Sequence, residues 1–416
     1  MIFVAWTIKD VRLFRALTLR SEAFNSVIAL RLSTYCYAKY FGIPVVGLWD
    51  VPIVASLTFW RKPSAVIAID SKFYADLGIT NRYVESAFCE YLRKLGKSLN
   101  GSDEVVFLTG TSRLNEQAIQ YHFRLNKIIY WEAGINGTIY MSEKGVNANA
   151  DFRELSHGDK SRYSALFAET CSIEYQSKLI DAPLVEIFCK LVDGLYLVAA
   201  RYILCNKEVD EILDFDFKML KNRSKSDDYD KSSDYFLYID QVEQDTNYTH
   251  FGCAAAEVIG YINFLMADDN VPNNISLLRR AHPRQRLTRV SQQLKHNFHH
   301  RYFDDSTSDL TKSIEKSMFV ITVNSTAGVE ALLLGKPVLV LGESYFDQLY
   351  GVLSLEDSVQ VATGRLVLDA DKIKDEVSAF LENNFIPIDF RAGNFFVVEG
   401  FDQFLTSIND AAVSSV

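Results

Sequence analysis

The sequence predicts an α/β protein with two Rossmann-like domains facing a central cleft, and three observations predict it. At 416 residues the chain suits two domains of about 200 each. Short apolar strands alternate with amphipathic helices through the first half, the pattern of a mostly parallel sheet covered on both sides. A polar stretch then interrupts that alternation, and a second series of the same kind follows it. Hydrophobic residues make up 48% of the chain and charged residues 23%, enough for a sizeable core and unlike a disordered or fibrous protein.

The expected strands of the first half are IFVAW near the start, PVVGLW (44–49), AVIAID (65–70), EVVFLTG (104–110) and KIIYWE (127–132). Between the last two, SRLNEQAIQYHFRLN puts Leu114, Ala118, Tyr121 and Leu125 on one helical face. The apolar run from Pro183 to Cys205 carries Glu186, Lys190, Asp193 and Arg201, so it reads as a buried helix and not a membrane span. Residues 1–205 are therefore expected to form the N-terminal domain. From 206 to 234 the chain turns rich in Lys, Asp and Ser, with no apolar period, as expected of a linker or surface loop.

YFLYI (235–239) opens the second domain, 235–390. The helix CAAAEVIGYINFLMA follows, then strands at ISLLRRAH, MFVITV and PVLVLG and a helix over DKIKDEVSAFLENN. Residues 391–416 end in a closing helix, EGFDQFLTSINDAAV. Net charge is −10 and the pI about 5.3, which argues against nucleic acid as a partner and asks any anionic ligand to find a local basic pocket. Cys36, Cys89, Cys171, Cys189, Cys205 and Cys253 show no metal-ligand spacing and fit buried thiols in a reducing cytoplasm. The start MIFVAWTIKD lacks the layout of a signal peptide. A cytoplasmic protein is expected, with peripheral attachment at the inner membrane left open.

Four stretches with chemistry fall at strand ends. In YWEAGINGTIYMSEKGVNANA (130–150), Glu132 ends a strand and enters a glycine-containing loop; a capping or salt-bridged glutamate is the other reading. In YIDQVEQDTNY (238–248), Asp240, Glu243 and Asp245 follow a buried strand, where a carboxylate can serve as base or nucleophile, or merely shape a polar turn. In RRAHPRQ (279–285), His282 precedes a proline amid Arg279, Arg280, Arg284 and Arg286. That basic patch suits a phosphate or carboxylate, with a solvated edge as the plainer alternative. In VNSTAGVEALLLGKPVLVLGE (323–343), Ser325 or Thr326 can cap a helix that Gly335 ends, and a helix start offers N–H groups to an anion.

Two other patterns carry no assignment. Asp214 and Asp216 resemble a metal-binding Asp-x-Asp but lie in the polar stretch, and His296 and His300, four apart, lack an acidic third ligand. Walker, GxGxxG and GxSxG motifs are absent.

Together, EAG…GT…KGVNAN, QVEQD, the His-Pro pair and VNSTAGVEALLLGKPVLVLG resemble the capsule polysaccharide synthesis family, in particular its retaining β-Kdo glycosyltransferases. The last two motifs are also similar to those of bacterial sialyltransferases. The resemblance implies a GT-B-type fold, with residues 1–205 on the acceptor side and 235–390 binding the nucleotide sugar, CMP-Kdo as donor, a bacterial surface polysaccharide or glycolipid as acceptor, and no metal or other cofactor. It implies that Asp245 is the nucleophile of a double displacement, that His282 binds the donor phosphate, and that Ser325 and Thr326 hold the phosphate or the Kdo carboxylate. Glu330 would reach the ribose, Glu132 is the candidate acid/base, and Gln241, Arg280, Arg284 and Gly328 complete the expected donor site. Gln244 stands where many relatives carry an acidic residue, which leaves Asp245 as the candidate. Two further readings stay open: a transferase using CMP-sialic acid or a related acid, and a non-catalytic nucleotide-sugar-binding partner in a synthesis complex.

Overall fold

The structure, a computed structural model, describes residues 1–21, 26–29, 32–47, 105–110, 119–120, 123, 126–155, 159–176, 183–203, 234–243, 245–283, 288–305, 309–388 and 395–413. The strand expected at 65–70, most of the helix expected before Lys127, the polar stretch with Asp214 and Asp216, and Gln244, Arg284 and Arg286 lie outside the described residues. Two compact units emerge, one from the chain up to 203 together with 383 onward, the other from 234 to 382.

The first unit is built on β1 (Ile2–Ala5), β2 (Ser26–Ala29), β3 (Val45–Gly47), β4 (Val106–Leu108), β5 (Ile128–Ala133) and β6 (Ile139–Ser142). Among the described residues they lie in the order β3-β2-β1-β4-β5-β6, parallel except for β6, which runs antiparallel to β5. All four residues of β1 are buried, as expected for a parallel strand covered on both faces. Phe3 on β1 packs against Phe14 and Trp131, ring centroids 5.3 Å away in each case. Phe14 comes from the helix Ile8–Thr18, which Thr7 opens by accepting from the Asp10 N–H while the Asp10 carboxylate accepts in return. The pair β2 and β6 was not anticipated; each is only four residues long and flanked by polar or glycine-rich sequence. β7 (Ser172–Gln176) stands apart from the main sheet.

The helix Pro183–Ile203 departs from expectation. Its Cys189 and Asp193 are buried, the latter bonded by Ser33 Oγ at 3.0 Å, but Leu184, Ile187, Phe188, Leu191 and Leu195 are exposed. It is amphipathic in its packing and not a helix buried all round. Among the described residues no helix is long and apolar enough to cross a membrane.

The second unit repeats the plan with β8 (Tyr235–Ile239), β9 (Ser276–Arg280), β10 (Tyr302–Asp304), β11 (Val320–Thr322), β12 (Val338–Val340) and β13 (Val352–Leu353). Their order is β10-β9-β8-β11-β12-β13, and every pairing is parallel. Renumbered within each unit, both sheets read 3-2-1-4-5-6, the Rossmann strand order. Two Rossmann-like units were expected, and two are present. β10 and β13 were not, since three and two residues leave too little alternation to read.

The division falls at 382/383 and not at 390/391. β14 (Phe395–Glu399) pairs antiparallel with β7, from Phe395↔Gln176 to Glu399↔Ser172, so the end of the chain completes the first unit. In the helix Phe401–Val413, Phe401, Phe404 and Ile408 are buried, and Phe404 packs on Phe167 with centroids 5.7 Å apart. That apolar face has its partners in the first unit's core, which is why the last helix returns there.

Candidate active site

In an open parallel sheet the ligand crevice lies beyond the carboxyl ends of the strands, where the strand order reverses. In the second unit that point falls between β8 and β11. The register pairs Ile239 with Arg280 on β9 and with Thr322 on β11. The three strands therefore end side by side, and the loops bearing Asp245, His282 and Ser325 leave from one edge.

Beneath that edge lies a buried ionic network. Asp240 Oδ2 accepts from Arg279 Nε and Nη2 at 2.9 and 2.7 Å and from Thr288 Oγ1 at 2.8 Å. Its Oδ1 accepts from Tyr238 Oη at 3.2 Å and from the Gln241 N–H at 3.0 Å. Arg279 also reaches Asp304 Oδ1 at 3.1 Å. Burial alone would lower the pKa of the Arg279 guanidinium, but the adjoining Asp240 carboxylate outweighs it and holds the group above its ordinary value. Burial, reinforced by Asp240, pushes the Tyr238 hydroxyl far up, so it remains a donor. Thr288 caps the helix Arg289–Asn297, so one carboxylate joins the ends of β8 and β9 to that helix start. Arg280, 21% exposed, pairs with Asp305 at 2.8 Å. The described half of the arginine patch is thus engaged by carboxylates of its own unit.

A second tie crosses the reversal point itself. Gln241 Oε1 accepts from the Asn324 N–H at 2.8 Å and from Thr322 Oγ1 at 3.3 Å, while its Nε2 donates to Asn324 Oδ1 at 2.9 Å. Gln241, expected at the donor, is 7% exposed and spans the gap between the two loops from below. Asp245 is exposed and opens the helix Thr246–Phe251, its Oδ1 accepting from the Asn247 N–H at 2.9 Å. His282 is half-buried, two residues past the end of β9.

The stretch after β11 divides by role. Ser325 Oγ accepts from the Ala327 N–H at 3.3 Å; Thr326 already has helical dihedrals, makes no cap and is exposed. Glu330, one turn along the seven-residue helix Ala327–Leu333, is exposed as well. Gly328, expected at the donor, faces inward: a Cβ there would lie 2.8 Å from Phe346 Cζ. Gly328→Ala is expected to cost about 1–3 kcal/mol by denaturant titration, because the ring has no room to withdraw in a packed core. Gly335, at φ +74°, ends the helix with its N–H on the Leu332 carbonyl and the Lys336 N–H on that of Ala331, a paired C-terminal closure. Lys336 Nζ then donates to the Ser317 carbonyl at 2.9 Å, and burial lowers its pKa. The glycines and the lysine of this stretch build the wall; Ser325, Thr326 and Glu330 face outward.

Glu132 belongs to the other unit. It is the penultimate residue of β5, opposite Tyr140 of β6, and accepts from Tyr140 Oη at 2.7 Å. Tyr140 in turn accepts from the Asn147 N–H at 2.8 Å, and Asn147 sits at φ +56° in the GVNANA loop. Sequence reasoning missed Tyr140 and Asn324. Cross-strand register and long-range hydrogen bonds select them, and neither leaves a mark in local sequence.

Residues 212–356 match the family described as capsule polysaccharide biosynthesis protein. That segment contains β8 to β13 and every described site residue of the second unit, so the resemblance read from QVEQD, His-Pro and NSTAG is borne out there. No curated protein matches the chain. Among solved structures, an MnaA-UDP co-structure from S. aureus is 14% identical with a TM-score of 0.37, covering 92% of each chain. A putative UDP-N-acetylglucosamine 2-epimerase from Listeria monocytogenes is 12% identical, TM-score 0.36, covering 94% of this chain and 93% of its own. The beta Kdo 2,7 transferase KpsC of Thermosulfurimonas dismutans is 12% identical, TM-score 0.34, covering 80% of this chain and 97% of its own. Likeness at that level assigns no activity.

Proposed function

We propose that the protein is a retaining, GT-B-type glycosyltransferase that moves Kdo from CMP-Kdo onto a bacterial surface polysaccharide or glycolipid. The observation that carries the reading is the shared edge: three adjacent strands of the capsule-family segment end in register and send out loops bearing Asp245, His282 and Ser325–Thr326. A carboxylate can serve as the nucleophile of a double displacement, and an imidazole and hydroxyls can donate to the leaving phosphate.

In the first displacement the Asp245 carboxylate attacks the anomeric carbon and forms an ester. The bond from that carbon to the phosphate oxygen breaks, and CMP leaves with the electron pair. His282 donates to that phosphate, and Ser325 and Thr326 donate to the phosphate or to the carboxylate of the sugar. In the second displacement the acceptor hydroxyl attacks the same carbon, the ester bond to Asp245 breaks, and a general base takes the hydroxyl proton. Two inversions return the original configuration. Glu330 reaches the ribose of the donor.

Purified protein is incubated with CMP-Kdo and, separately, with CMP-sialic acid, each with candidate glycan acceptors, and free CMP is measured. CMP-Kdo is expected to be consumed and to leave a Kdo adduct visible in the intact-protein mass. Turnover of CMP-sialic acid with CMP-Kdo untouched would reassign the donor. Binding of either donor with no product under any acceptor would make the protein a non-catalytic partner in synthesis.

A further inference from the structure

We propose that Asn324 is a positioning residue that aims the Asp245 carboxylate, acting through the backbone of Asn247; this rests on the transferase reading above. Asn324 is 2% exposed, two residues beyond β11, with every polar group of its backbone and side chain engaged across the reversal point. Its N–H and Oδ1 meet the two ends of the Gln241 amide, at 2.8 and 2.9 Å. Its Nδ2 donates to the Asn247 carbonyl at 2.9 Å, and its own carbonyl accepts from Asn247 Nδ2 at 3.4 Å.

The residue held in this way is the one whose N–H meets Asp245 Oδ1, at 2.9 Å. The path from β11 to the carboxylate is therefore two hydrogen bonds and one residue long. With Oδ1 occupied, the rotation of the carboxylate is set, and Oδ2 is the oxygen left to attack. Without the Asn324 grip, Asp245 stands at the start of a six-residue helix, Thr246–Phe251, too short to hold its own first turn. A carboxamide suits this position because one planar group must accept from Gln241 on one side and donate to Asn247 on the other. Aspartate keeps the first bond and loses the second.

Asn324→Asp is the test, with wild type and Asp245→Ala beside it. The CMP-release rate with CMP-Kdo is expected to fall about 10- to 100-fold, the scale of a misplaced nucleophile. The dissociation constant for CMP, measured by calorimetry, is expected to stay within about threefold, because the groups that face the nucleotide are untouched. Hydrogen exchange over 245–252 is expected to quicken while peptides of β8 and β11 keep their protection. An unchanged rate, or a loss of CMP affinity as large as the loss of rate, overturns the proposal. Should the aspartate variant not fold, Asn324→Ser makes the same comparison without a buried charge. Failure of the transferase reading looks different: wild type releases no CMP, or Asp245→Ala releases it as fast as wild type.

Discussion

Asp245→Asn is expected to lower the rate of sugar transfer by a factor on the order of a thousand or more while the protein melts where wild type does. The size follows from removing the group that makes the covalent bond, which in comparable enzymes costs most of the rate enhancement. The choice of asparagine follows from the structure. Asp245 is also the cap of the helix Thr246–Phe251, its Oδ1 on the Asn247 N–H. Alanine would remove nucleophile and cap together, at about 0.5–2 kcal/mol of stability. Asparagine caps as well as aspartate but has no anionic oxygen to attack with. Rate and melting temperature measured side by side separate the two roles. Wild-type transfer by Asp245→Asn would leave Asp245 as a helix cap and nothing more.

The largest stability effect is expected at Arg279. Arg279 and Asp240 are 3% and 2% exposed, joined by two nitrogens of the guanidinium on a single carboxylate oxygen. Removing one partner strands the other charge in the interior, so Arg279→Ala is expected to lose about 3–5 kcal/mol in urea titration. Arg279→Lys is expected to recover little of that. An ammonium lacks the fork that meets Asp240 and Asp304 at the same time. A loss under about 1 kcal/mol in Arg279→Ala would mean that Thr288, Tyr238 and the Gln241 N–H satisfy Asp240 by themselves.

These expectations show where sequence reading reached its limit. The basic cluster at 279–286 reads in sequence as an anion site, since cations crowd beside a His-Pro turn. Alternation along β9 instead sends Arg279 inward to Asp240, while Arg280 turns to Asp305. Charge counting along a chain has no access to the carboxylates just past β8 and at the end of β10. The NSTAG stretch shows the same limit at finer grain. Ser325 as the side chain that takes up a helix-start N–H, and Gly335 as the terminator, follow from local backbone chemistry and were legible. Gly328 is expected from the resemblance at the donor, whereas its missing side chain makes way for Phe346, eighteen positions along. Nothing in local sequence marks Asn324, because its partners lie 83 and 77 residues away.

What the sequence determined by itself was everything with a short period. Apolar runs set β1, β8, β9 and β11, local pattern set the helices Pro183–Ile203, Ala255–Ala267, Ala327–Leu333, Ala370–Asn384 and Phe401–Val413, and the order of strand and helix set two parallel Rossmann-like sheets. Steric and solvation preferences of neighbouring residues decide such elements, so a single chain displays them. Tertiary structure decided which strand ends share an edge, which carboxylates Arg279 and Arg280 pair with, and that the final helix returns to the first unit. Each of those depends on groups brought together from distant positions. The energy of burying a charge or an aromatic ring is settled only by what stands opposite it.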